Sequence, residues 1–214
     1  MRNTLTILFT VAALLPSATR GQSAQGPGLS TSKDTEKQPL TLTVLAEKTV
    51  TELPSGDLFW RIETFPTLPE AKAAAGKLSL VAEASGRVWL FSLGAAGGSS
   101  PGGTKVADVG PIARVSAPEY LLRINEATGP RGSRTPVHTH PGSEAFFVLA
   151  GEHSVRSPHG TQVFRAGQPE AGHGPGMPME VSSSGEKDLD SLVMFVVDAT
   201  KPFSSPAEFP KDTK

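Results

Sequence analysis

A short stretch of the second half of the chain fixes more about its architecture than any other feature. It runs Gly132, five residues, His138-Thr139-His140, three residues, Glu144, six residues, Gly151. In an extended strand the side chains at i and i+2 share a face, so His138 and His140 present two imidazoles to one point while Thr139 turns away. Pro141-Gly142-Ser143 follows with turn chemistry, because proline presets φ and glycine accepts a positive one. Glu144 can then return on the next strand beside the two imidazoles. Two imidazoles and a carboxylate are the donor set of a divalent transition-metal site with open positions.

This pattern resembles the first motif of the cupin superfamily, filling each of its fixed positions. The resemblance implies an all-β fold, the cupin double-stranded β-helix or jelly-roll barrel. It further implies a divalent metal (Fe, Mn or Zn) held by His138, His140 and Glu144, and a small-molecule ligand. It covers about residues 119–198, within an expected cupin core of 119–200. The family's second motif ends in a histidine, and here the matching stretch runs from Arg165-Ala166-Gly167-Gln168 to Gly174-Pro175-Gly176-Met177-Pro178-Met179, placing Met179 at that position. A thioether is a soft, neutral donor suited to copper rather than to a harder ion. Two alternatives follow: a bulge in the glycine-rich run brings His173 in as fourth ligand, or the two-histidine, one-carboxylate triad stands alone. Met179 then fills the barrel interior. Of the other histidines, His159 in Ser157-Pro158-His159-Gly160 reads as a hairpin tip, and His153 as a surface position.

Short runs of alternating or fully apolar residues, punctuated by glycine and proline, support the all-β assignment. In the second half the expected strands are 119–125, 135–140, 144–149, 152–157, 161–165, 179–183 and 189–198. The runs Glu144 to Leu149 and Leu192 to Val197 are apolar on both alternating faces, as in strands covered on both sides. On 120–125, Arg123 and Asn125 share a face with Leu121. If that face lines the barrel, Arg123 can bind a ligand carboxylate; the alternative is an exposed outer face. Residues 40–118 contain strand signals at 40–50 and 58–65, a helix opened by a Thr67/Glu70 capping box, and a hairpin around Ser85-Gly86. They are expected to extend the barrel at its N-terminal side. Gly94 to Gly103 is almost all Gly, Ala, Ser and Pro and reads as a mobile loop.

Twenty Lys and Arg against 21 Asp and Glu leave no broad field for nucleic acid or an anionic membrane. The absence of cysteine excludes disulfides, thiolate metal sites and a cysteine nucleophile. HExxH, P-loop and dinucleotide fingerprints are also absent. At the N-terminus, Arg2 and an apolar run from Leu5 to Leu15 read as an export signal over residues 1–21; about 20 apolar residues are needed to span a bilayer. Residues 22–39 are polar and without periodicity, a disordered linker, and 201–214 form a C-terminal tail. The expectation is a periplasmic or secreted bacterial protein, free of the membrane after signal cleavage and compatible with a homodimer. Its function is that of a metal-dependent oxygenase or isomerase, or alternatively of a non-enzymatic, sugar-like ligand-binding module with a degraded metal site.

Overall fold

A computed structural model describes residues 38–210. The expected signal segment and all but the end of the expected linker lie outside these residues. The regular structure of the described chain is almost entirely antiparallel β, with one short helix. Its N-terminal part holds β1 (Thr41–Val50), β2 (Phe59–Phe65), α1 (Leu68–Ala74), β3 (Ser79–Ala84), β4 (Arg87–Gly94) and β5 (Thr104–Val109). The second half holds β6 (Tyr120–Gly129), β7 (His138–Thr139), β8 (Gly142–Ala150), β9 (Glu152–Ser157), β10 (Gly160–Arg165), β11 (Pro169–Glu170), β12 (Glu180–Ser183) and β13 (Leu189–Asp198), and β14 (Ser205–Pro206) closes the order.

The eight strands β6 to β13 pair as a jelly roll. On one sheet the first pairs with the eighth, the eighth with the third and the third with the sixth, giving β6-β13-β8-β11. On the facing sheet β12, β9 and β10 lie side by side, and a bridge between His138 and Met179 brings β7 beside β12. Two interleaved four-strand sets of this kind form a double-stranded β-helix. β1 adds a fifth strand beside β6, with Val44 opposite Asn125 and Glu47 opposite Arg123.

The remaining N-terminal strands do not enter the barrel. They form a separate sheet, ordered β3-β4-β2-β5, and its apolar face packs on the outer face of the five-stranded sheet. Trp60, Ile62, Phe91 and Leu93 meet Leu122, Ile124, Phe147, Leu192 and Met194 there. On the other face Phe146, Val193, Phe195 and Val197 meet Val155, Phe164 and Val181 of the three-stranded sheet. This double covering is why β8 and β13 read as apolar on both faces: a strand with water on one side would alternate.

Local chemistry sets the punctuation. Thr67 caps α1, its hydroxyl accepting from the Glu70 backbone N–H and donating to the Glu70 carboxylate at 2.8 Å. The β3–β4 turn takes positive φ at both Ser85 (48°) and Gly86 (69°), matching the twist of a two-residue hairpin. The Gly94 to Gly103 segment, expected to be mobile, is tied down at its centre. Buried Glu63 accepts from the Ser100 backbone N–H at 2.6 Å and from its hydroxyl at 2.7 Å, while Arg61 bonds both Glu63 and Ser100. Composition alone gave no sign of that clamp, because its carboxylate lies 37 residues away.

Gly142 opens β8 directly against β13. A Cβ there would stand 2.1 Å from the Val196 carbonyl oxygen and 2.4 Å from the Val197 Cα, both backbone atoms without freedom to yield. Gly142→Ala should therefore destabilise the protein by roughly 2–4 kcal/mol or prevent folding, as overpacked core positions do at the severe end. Urea denaturation checks this, and a loss under about 0.5 kcal/mol would show that the two strands separate more readily than their packing implies.

Candidate functional site

The central sheet and its smaller partner enclose a cavity of about 480 Å³. Its walls are largely apolar, with Leu42, Val44, Phe146, Val181, Val193 and Phe195 prominent, and the expected ligands His138, His140 and Glu144 stand together on its lining. Thr139 does not line it and pairs instead with Ser205 on β14. The alternation expected of His-x-His is therefore present.

The two imidazoles lie 4.9 Å apart and nearly perpendicular, at 85°. Each is tied by its Nδ1 to a backbone carbonyl: His138 donates to Pro136 at 2.9 Å, and His140 to Phe203 at 2.7 Å. That tautomer leaves both Nε2 atoms as bare lone pairs, the form in which histidine binds metal. His140 Nε2 faces Glu144 Oε2 at 3.9 Å. Glu144 is almost wholly buried and its Oε1 has no hydrogen-bond partner. An unneutralised carboxylate in such a place must find a cation or keep its proton. Burial pushes Glu144 up to about 8 and holds His140 down to about 4. In kind, tautomer and burial these three residues fit a divalent cation. As they stand, however, no three His, Cys, Asp or Glu side chains among the described residues converge closely enough to hold an ion, so binding would draw them together.

The other expected residues fall as follows. Met179 lies opposite His138 across the β7–β12 bridge, so both side chains project to one face, and it is buried in the core between the barrel sheets. His173 contributes its backbone carbonyl, which accepts from the Glu144 N–H at 3.2 Å, but its side chain is not among the cavity-lining residues. Arg123 does face the cavity, as do Asn125 and Ala127 of the same strand face. Its guanidinium is engaged by Glu47 at 2.7 Å and lies 4.1 Å over the Phe203 ring. His159 sits at the β9–β10 turn, as its sequence context indicates.

Two features were misread or missed. His153 is not a surface residue: it is fully buried, its Nδ1 meets the Ser191 hydroxyl at 3.0 Å, and its ring packs 4.4 Å from that of Phe146. Its strand alternates inward at His153 and Val155, a pattern too short to show which face is the core. The C-terminal segment is more than a tail. β14 pairs with β7, and Phe203 packs on His140 and Phe195 while its carbonyl fixes the His140 tautomer.

The burial shifts give the metal-free protein a defined pH profile. Burial also lowers His153 to about 3, so it and His140 bind protons more weakly folded than unfolded, and stability rises with pH up to the ordinary histidine value of 6.5. Glu144 acts oppositely: folded, it keeps its proton to about 8 whereas the unfolded chain loses it near 4.5, so stability falls across that window. Of these three groups, the two histidines outweigh the glutamate below 6.5, and Glu144 alone acts above. With chelator present, stability should peak near pH 6.5 and fall by about 2 kcal/mol towards pH 8, at about 1.4 kcal/mol per pH unit. Glu144→Gln should abolish the fall. Denaturant midpoints across pH check this; a decline that persists in Glu144→Gln would assign it to another group.

No protein-family model matches the chain, and no curated protein matches it. Among solved structures, it is similar to a cupin-like protein from Thermotoga maritima, at 13% identity over 42% of this chain and 68% of that one, TM-score 0.36. A protein with a double-stranded β-helix domain from Klebsiella pneumoniae matches at 21% identity over 41% and 75%, TM-score 0.36. The DMSP lyase DddQ from Ruegeria pomeroyi matches at 23% identity over 40% and 42%, TM-score 0.35. By its own strand order, the segment 120–198 is a double-stranded β-helix jelly roll, with His138, His140 and Glu144 on its inner face.

Proposed function

We propose that this protein is an exported cupin that holds one divalent transition metal through His138, His140 and Glu144 and binds a small molecule in the cavity beside it. The observation that carries the reading is the pairing of two Nε2 lone pairs, each set by a backbone carbonyl, with a buried carboxylate whose free oxygen has no partner. Iron, manganese or zinc suits that donor set better than copper. Bound there, the metal would supply a Lewis acid able to polarise a ligand oxygen or to engage dioxygen. The chain's own contribution is to exclude water with Phe195 and Phe203, to hold the imidazoles in one tautomer, and to keep a carboxylate available in an apolar wall.

The second reading, a non-enzymatic ligand carrier with a degraded metal site, draws on Met179 in place of the family's last histidine. Its sugar-like ligand is disfavoured by the lining, because a polyol needs many hydrogen-bonding partners and this cavity is mostly aliphatic and aromatic.

Elemental analysis of untagged protein reconstituted with Zn²⁺ or Fe²⁺ should find about one ion per chain. His140→Ala should cut metal affinity at least a hundredfold without unfolding the barrel, whereas Thr139→Ala should leave it unchanged. Met179→His should tighten binding by restoring a nitrogen donor on the His138 side. Well under half an ion per chain in the parent, with none gained in Met179→His, would remove the metalloprotein reading.

A further inference from the structure

The cavity carries a second polar cluster that the proposed metal site does not use. Nine buried side-chain polar atoms among the described residues lack a hydrogen-bond partner, and four of them sit on residues lining this one cavity: Asn125 Oδ1, Arg134 Nε, Glu144 Oε1 and His153 Nε2. Each such group costs about 1–3 kcal/mol if it stays unsatisfied. Glu144 is accounted for by a cation, and the Arg134 charge is met by Glu180 through its Nη1 at 3.2 Å. Asn125 and His153 have no such account.

Asn125 lies on β6 between Val44 of β1 and Val193 of β13, in a row that continues to Phe146. It is one pleat, about 7 Å along the strand, from the row of Arg123, Phe195 and Glu144. His153 comes from β9, on the facing sheet, and rests on Phe146. Both are more than nine-tenths buried. Around them the lining is Leu42, Val44, Ala127, Val181 and Val193. No charged group is needed to meet either: an amide and a neutral imidazole offer hydrogen bonds but cannot neutralise an ion. A polyol would leave most of its hydroxyls facing carbon.

We infer that the part of the cavity between Asn125 and His153 binds a neutral, mainly apolar molecule through hydroxyl or carbonyl groups that these two side chains meet from the two facing sheets. This deepens the reading of the cavity as a ligand site and does not depend on the metal. The two residues act as specificity determinants, since an apolar side chain at either place would pack at lower cost. The ligand is thus a compact hydrophobic body, polar at separated points.

Fluorescence titration with 2,7-dihydroxynaphthalene, with naphthalene and glucose as comparison probes, tests this on the full chain, with chelator and with Zn²⁺. The diol should bind at least tenfold more tightly than naphthalene, and glucose should neither bind nor compete. Asn125→Leu, and His153→Phe combined with Ser191→Ala so that no hydroxyl is left without its partner, should each lower the diol preference at least fivefold. Naphthalene binding should persist. Both variants should keep or raise Tm, since each removes a buried group without a partner. The diol preference should be the same with chelator and with Zn²⁺, so failure of the metal site and failure of this inference are separable. The inference is overturned if the diol does not bind, if glucose displaces it, if the variants keep the preference, or if they lower Tm by more than about 5 °C, which would mark both residues as structural.

Discussion

Everything in this molecule hangs on the pairing of β8 with β13 at the centre of the five-stranded sheet. The two strands are in register from Gly142 opposite Val197 to Val148 opposite Ser191, and both are covered on both faces. One face is sealed by the N-terminal sheet, and the other faces the barrel interior. Because the outer face is closed by packing rather than by solvated side chains, the inner face is free to give up apolar contacts. It does so at Glu144, which occupies the row of Phe195 and Arg123. A carboxylate without a partner is costly in that position, and the rigidity of the strands around it is what holds it there.

The site follows from that frame. β7 is only two residues long, yet its bridge to Met179, its pairing with Ser205 and Pro206, and the carbonyls of Pro136 and Phe203 leave the two imidazoles little freedom. Arg123, far from being an idle surface charge, is neutralised by Glu47 and covers the Phe203 ring. The segment after β13 thereby belongs to the wall of the cavity. The Phe203 ring shields His140, and its backbone carbonyl determines which nitrogen of His140 is exposed to a ligand.

Much of this was legible in the sequence because it is local. The His-x-His alternation and the doubly apolar runs each depend on neighbours within a few positions, and the strands 152–157 and 189–198 have their expected bounds. Gly142, expected in a turn of positive φ, instead opens β8 without one, because its place is set by close packing on β13. What escaped depends on distant partners. β5 is a short run, Thr104–Val109, with half its residues polar, and it becomes a strand by pairing with β2, from Thr64 opposite Thr104 to Trp60 opposite Val109. His153 gave no sign of burial because its partners, Ser191 and Phe146, are brought to it by the fold. The C-terminal segment lacks periodicity, and only the closure of the barrel gives Phe203 and Ser205 something to meet. Met179, at the place of the motif's last histidine, bridges to His138, and its side chain fills the core between the barrel sheets.

The central claim is that two imidazoles and one buried carboxylate form a single cation site. Anomalous scattering from crystals of the untagged protein soaked in Mn²⁺ or Zn²⁺ addresses it most directly. A single strong peak within bonding distance of His138 Nε2, His140 Nε2 and a Glu144 oxygen is the predicted result. A structure in which the metal occupies surface carboxylates alone, with Glu144 still turned to His140 and no density between them, would contradict it.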